Sequence, residues 1–364
     1  MARRKTGGLL TPLRKRTLVI PSAKGGASKT TLAAHLAYEF TRYGLTVLCI
    51  DTDSLGGFTS LMKSYAGEGQ PSSLEVIKGE IEPQDAAIMV PGWTAPSGVS
   101  WQKGGALIEG GQTILIPAPA DTARQSEFSR EMEKPGSVEE MRLARALNAE
   151  AFHSVDVIIV DMPGTSSPTI VNSVLNAAAN VVYPAKPEYL ALQGIQAIDD
   201  NIDRWIDNSP DANAYLNTLG ASPTQIDPGQ PGRRTPGKEV LEETERWLQS
   251  NEGNEMRLFA PGIEERSAMR KAVNIGVPIQ RMTETQGEIR DTGTIPPAFA
   301  RIALSILEEI NEANDEELYD VEGMKSALES QVKKLQITSK KIRDRWKSAI
   351  LSEKFMKLVE NDGN

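Results

Sequence analysis

"SAKGGASKTTLAAHLA", residues 22–37, is the stretch on which the reading of this chain turns. It follows the β-rich run "RTLVIPS" (16–22) and leads into an apolar helical pattern from about Thr30 to Tyr43. A strand, a glycine-rich turn, a lysine, two hydroxyls and a helix in that order make an anion cradle. The N–H groups of the turn converge on a phosphate, and the helix N-terminus adds its partial positive charge. In such a cradle Lys29 reaches the β- and γ-phosphates, Thr30 places its hydroxyl on Mg2+, and Thr31 bonds the α-phosphate. Ala23 and Ser28 stand where the strict pattern G-x-x-x-x-G-K-[ST] has glycine. If residue 28 must adopt positive φ, a serine there costs about 1 kcal/mol.

Strands and helices alternate outward from this loop. "LTVLCID" (45–51), "QTILIPA" (112–118), "VDVIIVD" (155–161) and "NVVYPA" (180–185) are short, apolar and β-branched. Runs of that kind suit strands buried on both faces of a parallel sheet. Helical patterns lie between them, as at 137–152 and 188–206. The expected fold is a doubly wound α/β, mostly parallel sheet of the P-loop NTPase type, with a helical C-terminal extension. The expected organisation is a basic arm at 1–15, one domain over 16–311 and a charged helical extension over 312–364. Two interruptions are foreseen. Residues 62–111 read as a partly helical excursion, and 209–238, rich in Gly, Pro, Ser and Asn, as a flexible surface loop.

Composition narrows the function classes. The chain has 364 residues, 39% hydrophobic and 24% charged, an ordinary globular balance that supports a sizeable core. Its one cysteine, Cys49, lies in an apolar strand, so no internal disulfide forms and a reducing cytoplasm is the expected compartment. His35 and His153 are too few and too separate to suggest a metal centre. No run approaches the roughly 18 to 20 apolar residues of a spanning helix, and "MARRKTGGLLTPLRKR" lacks the apolar stretch of a secretory signal. The net charge of −9 conceals a segregation. Residues 1–16 carry six Lys/Arg and no acid, 324–360 carry ten Lys/Arg against four acids, and 17–323 hold about −20. Two basic ends on an acidic body suit a polyanion such as DNA, or a membrane surface.

K-G-G-x-x-K-[ST]-[ST], spanning Lys24, Gly25, Gly26, Ala27, Ser28, Lys29, Thr30 and Thr31, resembles the deviant phosphate loop of the ParA/MinD class of P-loop ATPases. The resemblance implies an ATP site in which Lys29 serves its own nucleotide. Lys24, the class's second lysine, would reach across a homodimer to the partner's phosphates. "VLCIDTDSLGGFTSL" (47–61) resembles the class's D-x-D-P-Q-G-N-x-T strand and loop, with Ser54 and Leu55 in place of Pro-Gln. It implies that Asp53 orients the attacking water and that Asp51 lies near the metal. "VDVIIVDMPG" (155–164) resembles the Walker B strand, with Asp161 holding the magnesium shell. Further likeness at 73–88, 114–128, 181–195, 234–248 and 256–279 extends it over about residues 16 to 311, the segment 209–233 matching poorly.

What such a class does with its ATP differs between members. The ParA-like alternative implies a slow, partner-stimulated ATPase with ATP and Mg2+. In its ATP-bound dimer it would bind DNA without sequence preference and move a plasmid or similar cargo, with a ParB-like centromere-binding adaptor. Such a protein is cytoplasmic and nucleoid-associated. "EERSAMRKAVNIG" supplies Arg266, Arg270 and Lys271 as candidate phosphate contacts, with helical spacing expected to bring Arg266 and Arg270 to one face. Arg233 and Arg234 are further candidates, and the short arm before the first strand argues against a helix-turn-helix domain. A MinD-like alternative would use the tail "KKIRDRWKSAILSEKFMKLVE", in which Ile342, Trp346, Ala349 and Ile350 share a side, as an interfacial membrane helix. A third alternative is a partner-gated ATPase regulator that binds neither surface.

Overall fold

The computed structural model describes residues 12–22, 26, 28–64, 70–95, 101–103, 106–108, 111–134, 141–164, 168–208, 216–227, 236–250, 256–283, 286–326 and 344. Among them ten strands run β1 (Thr17–Ile20), β2 (Val47–Asp51), β3 (Ile88–Met89), β4 (Trp101–Lys103), β5 (Ala106–Ile108), β6 (Thr113–Ile116), β7 (Val157–Asp161), β8 (Asn180–Ala185), β9 (Asn217–Pro223) and β10 (Arg257–Leu258). Eight of them form one sheet in the order β10-β9-β8-β1-β7-β2-β6-β3, and β4 and β5 pair separately. All neighbours in the large sheet are parallel except β3, which runs antiparallel to β6. The five strands expected from apolar runs are therefore present, and the α/β doubly wound reading holds.

Every residue of β1, β2, β7 and β8 is buried, which is why those runs carry no polar alternation. Leu18, Ile20, Val47, Cys49, Val157 and Ile159 face one apolar layer, built with helices Lys29–Arg42 and Ile295–Asn314. Val19, Leu48, Ile50, Ile158 and Val160 face the other, built with helices Ser73–Lys78, Thr122–Met132, Arg142–Leu147, Pro168–Ala177 and Tyr189–Asn208. Helix Lys29–Arg42 has no Gly or Pro to break it and is buried at every position from Leu32 to Thr41. It ends where Gly44 takes φ 81°.

Two expectations are corrected. The stretch 209–238 is not simply a surface loop, because β9 lies inside it with six of its seven residues buried. Gly, Ser and Pro hid this strand in the sequence, yet its small residues are what the packing requires. A Cβ at Gly220 would stand 1.9 Å from the carbonyl oxygen of Arg257 in β10. The domain does not end at 311 either. Helix Ile295–Asn314 runs through that point, and Tyr319, Val321 and Met324 beyond it are buried in the first layer. Tyr319 Oη donates to the Asp156 carbonyl, tying this segment to the start of β7. The segments 327–343 and 345–364, including the amphipathic tail, lie outside the described residues, as do residues 1–11 of the basic arm.

Candidate functional site

The centre of the sheet is the strand triplet β8-β1-β7, so the loop after β1 opens where chain connections diverge to either side. In open α/β sheets ligands settle at that point, at the C-terminal ends of the strands. Register then brings the carboxylates together. Asp161 of β7 stands opposite Ile20 of β1 on one side and opposite Asp51 of β2 on the other.

Lys29 and Thr30 start the helix after the loop. Thr30 Oγ1 donates to Asp161 Oδ2 at 2.8 Å across 131 residues of sequence. Lys29 Nζ lies 3.5 Å from Asp53 Oδ2 and 3.9 Å from Asp161 Oδ1. Asp161 is fully buried, and its Oδ1 accepts no hydrogen bond among the described residues. Burial pushes its carboxyl up to about 6, with Lys29 and Thr30 pulling the other way. The next helix, Gly57–Leu61, packs beside the site, with Gly57 at contact distance from the Thr30 side chain.

Asp51 has a different setting. Its Oδ2 accepts from the Thr59 amide at 2.8 Å and the Thr59 hydroxyl at 2.7 Å, and its Oδ1 accepts from the Asp53 amide at 3.1 Å. Thr59 Oγ1 in turn accepts from the Ala118 amide beyond β6. Asp51 thus ties down the loop that carries Asp53. Burial raises its carboxyl, and the neighbouring Asp161 adds to the rise. Asp53 Oδ1 accepts from the Leu55 amide at 3.0 Å, turning the loop and leaving the Leu55 side chain exposed. Ser54 is held from the far side by the Ser129 hydroxyl at 2.9 Å.

Ser28 does sit at positive φ, at 63° with ψ 17°, and Gly26 at φ 83°. Lys24, Gly25 and Ala27 lie outside the described residues. Thr31 follows in the first turn of the helix, its carbonyl accepting from His35 Nδ1 at 2.8 Å. The donor set suits Mg2+ held partly by phosphate oxygens and water, with one hydroxyl and one buried, underused carboxylate from the protein. No cluster of three or more His, Cys, Asp or Glu side chains poised for a metal occurs among the described residues.

The basic helix is only partly as expected. Arg270 and Lys271 are exposed on helix Ser267–Ile275. Arg266 is the N-cap of that helix, in extended conformation at φ −132° and ψ 152°, its carbonyl accepting from the Arg270 amide at 3.4 Å. Its guanidinium pairs with Glu264 and lies over Gly293. Arg233 and Arg234 fall outside the described residues, as do Ile342, Trp346, Ala349 and Ile350. Among the described residues no helix is long and apolar enough to cross a membrane.

The sequence pattern assigned no role to Thr59 and did not point to Gln225. Gln225 follows β9, and its Nε2 donates to Ser28 Oγ at 2.5 Å and to the Gly26 carbonyl at 3.3 Å. Thr59 is the threonine that closes the D-x-D-P-Q-G-N-x-T pattern, eight residues from Asp51, whereas Gln225 has no local signature, because it acts on a segment brought beside it by the fold.

A family model described as an AAA domain matches residues 15–217, more than half of the chain. Protein IncC of Escherichia coli is 27% identical over 277 residues, covering 74% of this chain and 64% of that protein. The chromosome-partitioning ATPase Soj of Thermus thermophilus is 30% identical over 185 residues, covering 50% of this chain and 59% of Soj. The matches thus span less than two thirds of either relative's length. Apo McdA of Cyanothece shares the fold, with a TM-score of 0.61 at 20% identity over 82% of this chain and 99% of that one.

Proposed function

This chain belongs to the AAA-domain family as a ParA/MinD-type P-loop ATPase, and on that premise we propose that it is a partition ATPase that moves or positions a plasmid or comparable cargo. The observation that carries the reading is the convergence of Lys29, Thr30, Asp53 and Asp161 on one spot at the C-terminal ends of β1, β2 and β7. Names of similar proteins support the direction, Soj being a chromosome-partitioning ATPase.

In this reading Gly25, Gly26, Ala27 and Ser28 wrap the phosphates, and Lys29 neutralises charge on the β- and γ-oxygens. Lys24 serves the nucleotide of a second copy across a homodimer. Thr30 and, behind it, Asp161 hold Mg2+, which when bound neutralises charge across the phosphates. Asp51 anchors the loop, so that Asp53 orients a water in line with the γ-phosphorus. Phosphoryl transfer depends on positioning and charge clamping, so turnover is slow until a partner completes the site. The ATP-bound dimer binds DNA without sequence preference through Arg270 and Lys271, works with a ParB-like adaptor, and is cytoplasmic and nucleoid-associated.

The test uses the full chain with random-sequence duplex DNA and, in parallel, anionic liposomes. Each is run without nucleotide and with ADP, ATP or a non-hydrolysable analogue, across a salt series. ATP-dependent, salt-sensitive DNA binding is expected. Liposome binding that requires residues 338–364 would instead assign the membrane alternative. ATP-driven dimerisation with neither surface bound would assign the partner-gated regulator. In the same preparation Lys29→Ala should abolish nucleotide binding, and Asp53→Ala should keep binding but lose turnover.

A further inference from the structure

Two residues far apart in sequence, Ser28 and Gln225, both hold the left-handed backbone conformation, at φ 63° and φ 54°, and they touch each other. A side-chain amide nitrogen has two hydrogens to donate. Both of those on Gln225 go to the phosphate loop, one to Ser28 Oγ and one to the Gly26 carbonyl.

Gln225 is itself fixed on both sides. The Thr224 amide donates to the Ala185 carbonyl at 3.0 Å, and the Ile226 amide to the Ile263 carbonyl at 3.0 Å. The Ile226 carbonyl accepts from the Glu265 amide at 2.7 Å, and Ile226 bridges to Glu264. The glutamine is thus an arm anchored to the sheet, reaching over to a loop.

What it does to Ser28 follows from helix capping. A serine before the first helical residue ordinarily turns its oxygen on the free N–H groups of the first turn. Those N–H groups are the ones a phosphate needs. Ser28 makes no such cap, although its carbonyl accepts from the Leu32 amide at 2.8 Å and so begins the helix. Its hydroxyl is engaged by Gln225 instead.

We propose that Gln225 is a positioning residue of the phosphate site, clamping Ser28 so that the loop keeps its anion-binding shape and the first turn stays open. The proposal deepens the nucleotide reading of this site and rests on it. The clamp compensates for serine where a glycine would adopt the left-handed conformation without strain and would have no hydroxyl to misdirect. Dependence on Gln225 therefore belongs mainly to Ser28 and falls to that of the longer bond to the Gly26 carbonyl when Ser28 is replaced by glycine.

The experiment is a double-mutant cycle on the full chain with Ser28→Gly, Gln225→Ala and the pair, each shown to be folded by thermal melting. Affinity for a non-hydrolysable ATP analogue with Mg2+ is titrated, and amide exchange of peptides covering 28–36 is followed without nucleotide. In the chain that keeps Ser28, Gln225→Ala is expected to weaken binding by about five- to tenfold and to raise exchange. In the chain that carries Ser28→Gly, the same change should cost less than about twofold. Unchanged affinity and exchange in Gln225→Ala, or equal losses in both backgrounds, overturn the clamp. If the unmutated chain does not bind the analogue, the nucleotide reading fails. The exchange cycle then decides the clamp by itself, background-dependent loss of protection sustaining it and its absence overturning it.

Discussion

Asp51 and Asp161 stand directly opposite each other on adjacent parallel strands, yet their carboxylates are used differently. Asp161 meets Thr30 and Lys29 of the phosphate loop, whereas Asp51 is bound by Thr59 and the Asp53 amide. Asp161→Asn should lower Mg2+-dependent ATP turnover by about 10- to 100-fold, as loss of a group behind a metal ligand does. Asp51→Asn should act through the loop, with a lower melting temperature and a smaller loss of turnover at unchanged Mg2+ requirement. Magnesium titrations of the ATPase rate separate the two. If Asp51→Asn shifts the Mg2+ requirement and Asp161→Asn does not, the roles are reversed.

A pH effect is expected from the core as well as from the site carboxylates. His35 stacks on Phe299 at 4.9 Å between ring centres and meets Trp93 edge-on at 5.3 Å. Burial pushes its imidazole down to about 4, the bond to the Thr31 carbonyl opposing this in part. The unfolded chain takes up a proton near pH 6.5 that the folded chain refuses until about 4. The His35 contribution to stability is therefore full above 6.5 and is lost as pH falls through that window, by about 3 kcal/mol at its lower end. The raised carboxyls of Asp51 and Asp161 add a slope of opposite sign in this window, so the His35 contribution is read as the difference in slope between the unmutated chain and His35→Asn in urea unfolding from pH 7.5 to 4. An identical slope in both proteins would assign it to other groups.

The basic helix offers a sharper contrast. Replacing Arg270 and Lys271 by alanine should reduce the salt dependence of DNA binding, the log–log slope losing about 1.8 for two phosphate contacts. Arg266→Ala should leave that slope alone and lower the melting temperature, because Arg266 pairs with Glu264, whose other oxygen accepts from the Thr294 hydroxyl at 2.7 Å. A slope reduced by Arg266→Ala at unchanged melting temperature would return that residue to the DNA-contacting set.

Gly220 tests the strand hidden in the turn-rich segment. Its φ of 146° and the 1.9 Å approach of the Arg257 oxygen leave no room for a methyl group. Gly220→Ala should destabilise the protein by about 4 kcal/mol or more, the range of severe backbone and packing changes. Tolerance of alanine with a native melting curve would mean that β9 and β10 do not pack as found.

Much of the architecture was readable because its causes are local. Burial on both faces writes itself as uninterrupted apolar runs, and β1, β2, β6, β7 and β8 were legible for that reason. The phosphate loop was legible because glycines, lysine and threonines must be adjacent to form one cradle. β9 was not, since its small residues answer to the closeness of β10, a contact 37 residues away in the chain. The role of Arg266 was not legible because its guanidinium is taken by Glu264, a pairing that spacing alone does not reveal.

The sequence by itself determined the fold class, the phosphate loop and the order of the aspartates that follow it, all of them consequences of short-range pattern. The tertiary structure decided which aspartate meets Thr30, which one holds a loop, and that Gln225 closes on Ser28. Those contacts join residues up to 197 positions apart, and only the strand register brings their atoms within hydrogen-bonding reach.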